Sequence, residues 1–191
     1  DYVFPGIADT PYDVDSPTGP VSVYGKSKLS GEIAIAEEYA AKSYVIRTAW
    51  LYSPFGGNFV KTMIRKARTA SAVRVVSDQL GQPTLAADLA KHIVDLVTNQ
   101  APFGIFHGTN SGAASWYELT REIYSLLGVD ASLVSPVPTS EYPTKAVRPQ
   151  YSVLSHSHTI DCGIEEMRNW QSALRESLPE IAKLIAEETP Q

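Results

Sequence analysis

Tyr24-Gly25-Lys26-Ser27-Lys28-Leu29-Ser30-Gly31-Glu32 opens a helical pattern over residues 24–42, which gives way to a β-branched and aromatic segment from Ser43 to Tyr52. Leu29, Ile33, Ala36 and Ala40 recur at helical spacing, while Glu32, Glu37, Glu38 and Lys42 mostly take the polar side. The segment that follows is short, apolar and preceded by a helix, so it reads as a buried parallel strand. The same alternation continues downstream. Asn58 is placed to cap a helix over 59–69 with cationic Lys66 and Arg68 in its last turn, and Val73 to Val76 is a short strand. A loop from Asp78 to Thr84 leads to a helix over 86–99 with Leu89, Ile93 and Leu96 on its apolar face. Gly104 to Gly108 is a further strand, and Ser115 caps a helix over 116–127. Strands alternating with helices predict an α/β fold, a parallel sheet with helices on its faces.

Both ends depart from this alternation. Asp1-Tyr2-Val3-Phe4 reads as the end of a strand already under way, so the chain is expected to be the C-terminal part of something longer. A loop carrying Pro5, Pro11, Pro17 and Pro20 follows. After Gly128 the chain turns Pro- and Ser-rich with short extended pieces to about residue 162, and a final helical stretch covers about 163–187.

The bulk numbers narrow the function classes. The chain has 191 residues, 43% hydrophobic and 19% charged, with a net charge of −5, so it can bury a sizeable core and lacks the basic face of a nucleic-acid binder. No apolar run approaches the roughly 20 residues that span a bilayer, and no signal-peptide pattern is present. Cys162 is the only cysteine, which excludes an internal disulfide and Cys-cluster metal sites and fits a reducing cytoplasm.

Tyr24 and Lys28 are the leading candidates for chemistry. Residues four apart share a helix face, which points a phenol and an ammonium at one small volume. A free tyrosine titrates near pH ~10, and a neighbouring cation favours its phenolate, towards the working range of an acid–base catalyst. Pro17, Gly19 and Pro20 place the pair at the mouth of the helix beside a loop. Gly25 and Gly31 each cost the helix about 1 kcal/mol relative to alanine, which suggests close approach by a cofactor, a strand or a partner helix. Other residues have plainer readings. Trp50, from its position alone, reads as core; His107 reads as structural; His156 and His158 read as solvated loop residues rather than a metal pair; Cys162 reads as a small apolar residue. Glu37-Glu38, Glu165-Glu166 and Glu187-Glu188 read as solvated helix faces, since adjacent helical side chains do not converge.

Taken together, the motifs resemble the extended short-chain dehydrogenase/reductases, and within them the dTDP-4-dehydrorhamnose reductase family. The resemblance rests on Asp1 to Gly6, Val23 to Leu29 with Gly31-Glu32, Arg47-Thr48-Ala49-Trp50 and Asn58 to Met63. The Asp78 to Thr84 loop, Tyr142-Pro143-Thr144 and Arg148-Pro149 continue it in the family's order, over nearly the whole chain. It implies the C-terminal part of a Rossmann-type doubly wound parallel sheet over residues 1–128, with a substrate-loop insertion near 73–85, and a small mixed α/β substrate-binding region over 129–191.

The resemblance also implies roles. Tyr24 would protonate the C4 keto oxygen of dTDP-4-dehydro-L-rhamnose as hydride arrives from NADPH or NADH, giving dTDP-L-rhamnose. Lys28 would lower the Tyr24 pKa and bind the nicotinamide ribose, so both residues are cofactor-binding as well as catalytic. Asp1, Tyr2 and Trp50 would contact the sugar nucleotide. Some members are magnesium-dependent dimers; no residue here is assigned to Mg2+, and Gly31 could mark a homodimer face. In the family a catalytic Thr or Ser precedes the Asp1 position, and the glycine-rich pyrophosphate turn lies about a hundred residues upstream. These residues alone are therefore expected neither to bind the cofactor tightly nor to turn over. Tyr151 stands where the family usually has Asn. Two other functions stay open: a non-catalytic regulatory subunit similar to that of methionine adenosyltransferase, and a nucleotide-sugar epimerase or dehydratase of the same superfamily.

Overall fold

The computed structural model describes residues 1–188 apart from 143 and 145, with 40 and 188 described by their backbone only. The readings made for Pro143 and for the side chains of Ala40 and Glu188 lie outside the described residues. The central alternation forms as the sequence pattern predicts. Helix α1 spans Val23–Tyr39 and is closed by a 3-10 turn at Ala40–Lys42; strand β1 is Tyr44–Arg47 and β2 is Leu51–Tyr52. Helix α2 (Phe59–Arg68), β3 (Val73–Val76), β4 (Leu80–Gly81), β5 (Thr84–Leu85) and α3 (Ala86–Thr98) follow. Strand β6 (Gly104–His107), β7 (Ala114–Ser115), α4 (Trp116–Leu126), β8 (Val134–Val137), α5 (Ser157–Asp161) and α6 (Trp170–Glu188) complete the order. Three pairings are parallel, β1 with β6, β2 with β5 and β3 with β8; β4 pairs antiparallel with β7.

Local chemistry fixes the helix starts. Asn58 Oδ1 accepts the Lys61 amide hydrogen at 3.0 Å, and Arg65, Lys66 and Arg68 complement the carbonyl end of α2. Ser115 and Glu118 form a reciprocal capping box at α4, satisfying two amide donors that the helix cannot. The main core lies between three helices: Val60 and Ile64 of α2, Leu119 and Ile123 of α4, and Leu174 and Ile181 of α6 are all buried. Each such side chain contributes about 1.5–3 kcal/mol by leaving water. A second cluster of Val3, Phe4, Tyr12 and Leu154 fastens the N-terminal loop, with Phe4 stacked on Tyr12 at 4.4 Å.

Four local expectations are corrected. Asp1 to Phe4 is a turn, not the end of a strand: the Phe4 amide donates to the Asp1 carbonyl at 3.2 Å, and the apolar residues are there to fill the second core. The Ser43–Tyr52 strand is broken, because Trp50 adopts a left-handed φ of 44° that no strand continues through. The two halves pair with different strands, β6 and β5. The apolar faces of α1 and α3 are less covered than their periodicity suggests. Gly25 alone is buried in α1, Ile33 is half exposed, and in α3 His92 and Leu96 are buried while Ile93 is exposed. The last helix begins at Trp170 rather than 163. Gly163, at φ 75°, ends the short α5, and the chain then runs to a bridge between Asn169 and Ser111 before turning helical.

Candidate functional site

Helix α1 delivers Tyr24 in its first turn. Ser22 Oγ accepts the Gly25 amide hydrogen at 3.0 Å, taking one of the donors left over at a helix start. The i,i+4 spacing has the predicted result: Lys28 Nζ lies 5.2 Å from the centroid of the Tyr24 ring. Gly25 is needed where it stands, since a Cβ there would sit 2.2 Å from the Tyr2 carbonyl oxygen and 2.9 Å from Pro20 Cβ. That contact is the close approach its position suggested. Gly31 has nothing within 4 Å of its Cβ position.

The turn after β1 and the N-terminal turn supply the opposite wall. The backbone nitrogen of Asp1 donates to the Thr48 carbonyl at 2.9 Å, pinning Asp1 to the end of β1. Tyr2 meets Tyr24 edge to face at 5.5 Å. Burial pushes the Tyr2 phenol up, only partly offset by the Arg148 guanidinium, so Tyr2 keeps its proton at neutral pH. Trp50, with its left-handed backbone, stacks on Trp116 with centroids 3.5 Å apart and planes 7° from parallel. Non-glycine residues in that region are strained, and such strain gathers at functional sites.

These residues enclose a hollow of about 770 Å3 lined by Asp1, Tyr2, Tyr24, Thr48, Trp50 and Arg148, among others. Its size falls in the range of small-molecule sites. Tyr24 is 58% exposed, so its hydroxyl is open to a ligand. Asp1 Oδ2 and Thr48 Oγ1 are buried atoms with no hydrogen-bond partner among the described residues. Buried polar atoms are nearly always paired, so an acceptor and a hydroxyl left without partners beside a hollow suit a hydroxyl-rich ligand. The structure thus brings together Asp1, Tyr2, Tyr24 and Trp50, with Lys28 beside Tyr24 but not itself in the wall. Thr48 and Trp116 were missed as site residues. Each lies in or next to a regular element, and nothing in the local pattern tells that their side chains converge with residues far away in sequence.

Elsewhere the histidines are structural, and the readings of His156 and His158 both change: His158 lies in α5, part-buried, with its ring 4.9 Å from that of Phe106. His156 is not a solvated loop residue: it is buried, with Nδ1 2.7 Å from Glu166 Oε1 and Nε2 2.7 Å from Thr109 Oγ1. His107 Nδ1 lies 2.9 Å from the Ser155 carbonyl oxygen, and burial lowers its pKa to about 4, so it is neutral at physiological pH. A second concavity of about 420 Å3 holds Asp88, Lys91, Asp95 and Arg168, but these charges are already paired. Arg168 bonds Asp88 and Glu176, and Lys91 bonds Asp95. Among the described residues no group of three or more His, Cys, Asp or Glu side chains could hold a metal ion, and no helix is long and apolar enough to cross a membrane.

The fold has close counterparts. The family described as RmlD substrate binding domain matches residues 1–183. A Streptomyces antibioticus protein named "Probable dTDP-4,6-dihydroxy-2-methyloxan-3-one 4-ketoreductase" is 45% identical over 190 residues, covering 100% of this chain and 63% of its own length. A dTDP-4-dehydrorhamnose reductase of Streptomyces griseus is 45% identical over 185 residues, 95% of this chain and 61% of the relative. The chain therefore spans about three-fifths of the length of these relatives. A Bacillus anthracis dTDP-4-dehydrorhamnose reductase solved with NADP superposes with a TM-score of 0.87 at 37% identity, covering 94% of this chain and 63% of that one. A dTDP-glucose 4,6-dehydratase of Streptomyces venezuelae, at 16% identity and a TM-score of 0.77, shares the fold, which is of the Rossmann type.

Proposed function

This chain belongs to the RmlD substrate binding domain family, and on that premise we propose that it carries the proton-delivering and sugar-binding side of an NAD(P)H-dependent dTDP-4-keto-sugar reductase. The observation that carries the reading is the exposed Tyr24 hydroxyl with Lys28 beside it, at a hollow where Asp1 and Thr48 hold unpartnered polar atoms. A carbonyl carbon that accepts hydride needs a proton at its oxygen, and in this reading Tyr24 gives it. The Lys28 ammonium over the Tyr24 ring is the nearby positive charge that this reading needs beside the phenolate left behind. Asp1 and Thr48 hold the sugar hydroxyls, Tyr2 contributes a neutral phenol, and Trp50 offers its indole to the sugar ring.

NADPH or NADH, when bound, supplies the hydride. The residues present fit one end of that cofactor: Tyr24 and Lys28 are accessible together for a ribose and carbonyl, while no glycine-rich pyrophosphate turn occurs among them. No step is assigned to Mg2+. In this reading residues 1–128 carry the Tyr24–Lys28 pair together with the sugar-holding Asp1, Tyr2, Thr48 and Trp50, and 129–191 completes the substrate side where Arg148 reaches the hollow. The most specific substrate is dTDP-4-dehydro-L-rhamnose, reduced at C4 to dTDP-L-rhamnose.

The test is NADPH oxidation by the intact protein with dTDP-4-dehydro-6-deoxy sugars, with the product identified. Substrate-dependent oxidation giving a C4 alcohol is expected. No turnover, together with stable capture of a methionine adenosyltransferase, would replace this reading with the non-catalytic one.

A further inference from the structure

We infer that Trp116 is a positioning residue, which fixes the indole of Trp50 in the wall of the hollow and thereby sets the fit of the sugar ring. The inference rests on the reductase reading of that hollow. A face-to-face stack with centroids 3.5 Å apart and planes 7° from parallel is not the arrangement that free aromatic rings prefer; they favour offset or edge-to-face pairs. The surroundings impose it. Trp116 Nε1 donates to Gln79 Oε1 at 3.2 Å, and Phe59 packs against the same indole at 4.6 Å. Gln79 is itself buried and donates through Nε2 to Thr139 Oγ1 at 3.0 Å, and Thr139 is tied to the Asp78 carboxylate by its amide and hydroxyl.

Trp50 is confined as well. Its backbone is left-handed, and a Cβ on Gly81 would stand 2.5 Å from its Cε2 atom, so the Gly81 main chain already touches the ring. Trp116 also lines a neighbouring slot of about 200 Å3 with Phe59, Tyr142 and Arg148, and so separates that slot from the main hollow. Loss of its ring would both release Trp50 and join the two spaces.

Two independent perturbations test this in the intact protein. Trp116→Ala removes the support, and Gly81→Ala pushes a methyl group into the Trp50 ring from another side. Steady-state NADPH oxidation with a dTDP-4-dehydro-6-deoxy sugar should show KM for the sugar nucleotide raised roughly two- to tenfold in both, the fold-change expected from losing one aromatic pair. The expected kcat change is smaller and KM for NADPH is unaltered, a split that loss of fold would not give. Trp116→Phe should restore most of the KM, while the circular-dichroism couplet of the stacked indoles disappears in both Trp116 variants. If Trp116→Ala does not fold, Gly81→Ala decides. An active wild type with sugar KM within twofold in the variants would overturn the inference. A wild type without turnover would overturn the reductase reading and this inference with it.

Discussion

Arg47→Met tests how the helix carrying Tyr24 and Lys28 is held. Helix α1 buries only Gly25, so apolar packing anchors it weakly. A polar tie stands in for it. Arg47 Nε and Nη2 meet the two carboxylate oxygens of Glu32 at 3.0 and 2.8 Å, with side-chain exposures of 5% and 13%. Its Nη1 donates to the Val14 carbonyl at 2.9 Å, and its guanidinium lies 4.9 Å from the Phe4 ring centroid. Removing one partner of a buried pair typically costs about 3–5 kcal/mol, because the other charge is left unpaired. Glu32 sits on an otherwise exposed helix and can turn towards water, so the lower end applies, about 3 kcal/mol. For a protein of this size that is a fall in Tm of about 6–12 °C. Urea melts would give the free energy and hydrogen exchange the local effect, with α1 amides losing more protection than those of α2 or α6. Arg47→Met within about 0.5 kcal/mol of wild type, with α1 exchange unchanged, would refute the reasoning.

Two further outcomes follow from the same structure. Ser115→Ala removes the hydroxyl of the α4 capping box and should cost about 1 kcal/mol, read as a fall of about 2–4 °C in Tm. Stability should also fall on acidification. Burial holds the His107 pKa at about 4 against an ordinary 6.5, so between those values the unfolded chain takes up a proton that the folded one refuses. The loss reaches about 3 kcal/mol by pH 4, with His92, lowered by burial as well, acting in the same sense. Urea midpoints at pH 7 and pH 5 should show the decline, and His107→Gln should flatten it; a midpoint that rises on acidification would contradict this.

Helix caps and strand periods were the most legible parts of the chain. Asn58 and Ser115 announce their helices because a capping side chain acts within three residues of itself, and Val73–Val76 is bounded by its own β-branched run. What failed depended on distance. The run from Ser43 to Tyr52 carries no local mark of the left-handed residue at Trp50, whose ring meets Trp116 and Gly81 from elsewhere in the chain. His156 lies in a polar stretch, so its burial between Thr109 and Glu166 could not be read from its neighbours. The site divides in the same way. Helical spacing predicts Tyr24 and Lys28 side by side, whereas Asp1, Tyr2 and Trp50 came from family resemblance, and only the fold brings Thr48 and Trp116 to the same hollow.

The proton-delivery claim is tested most directly by Tyr24→Phe in the intact protein. The ring, its contact with Tyr2 and the surface of the hollow remain, and only the hydroxyl is lost. General acid catalysis typically contributes 10²–10⁴-fold, so kcat for NADPH oxidation with dTDP-4-dehydro-L-rhamnose should fall by about that factor. Melting temperature and dTDP-sugar affinity should stay at the wild-type level. A Tyr24→Phe protein that turns over at a near-normal rate would show that the proton comes from another group.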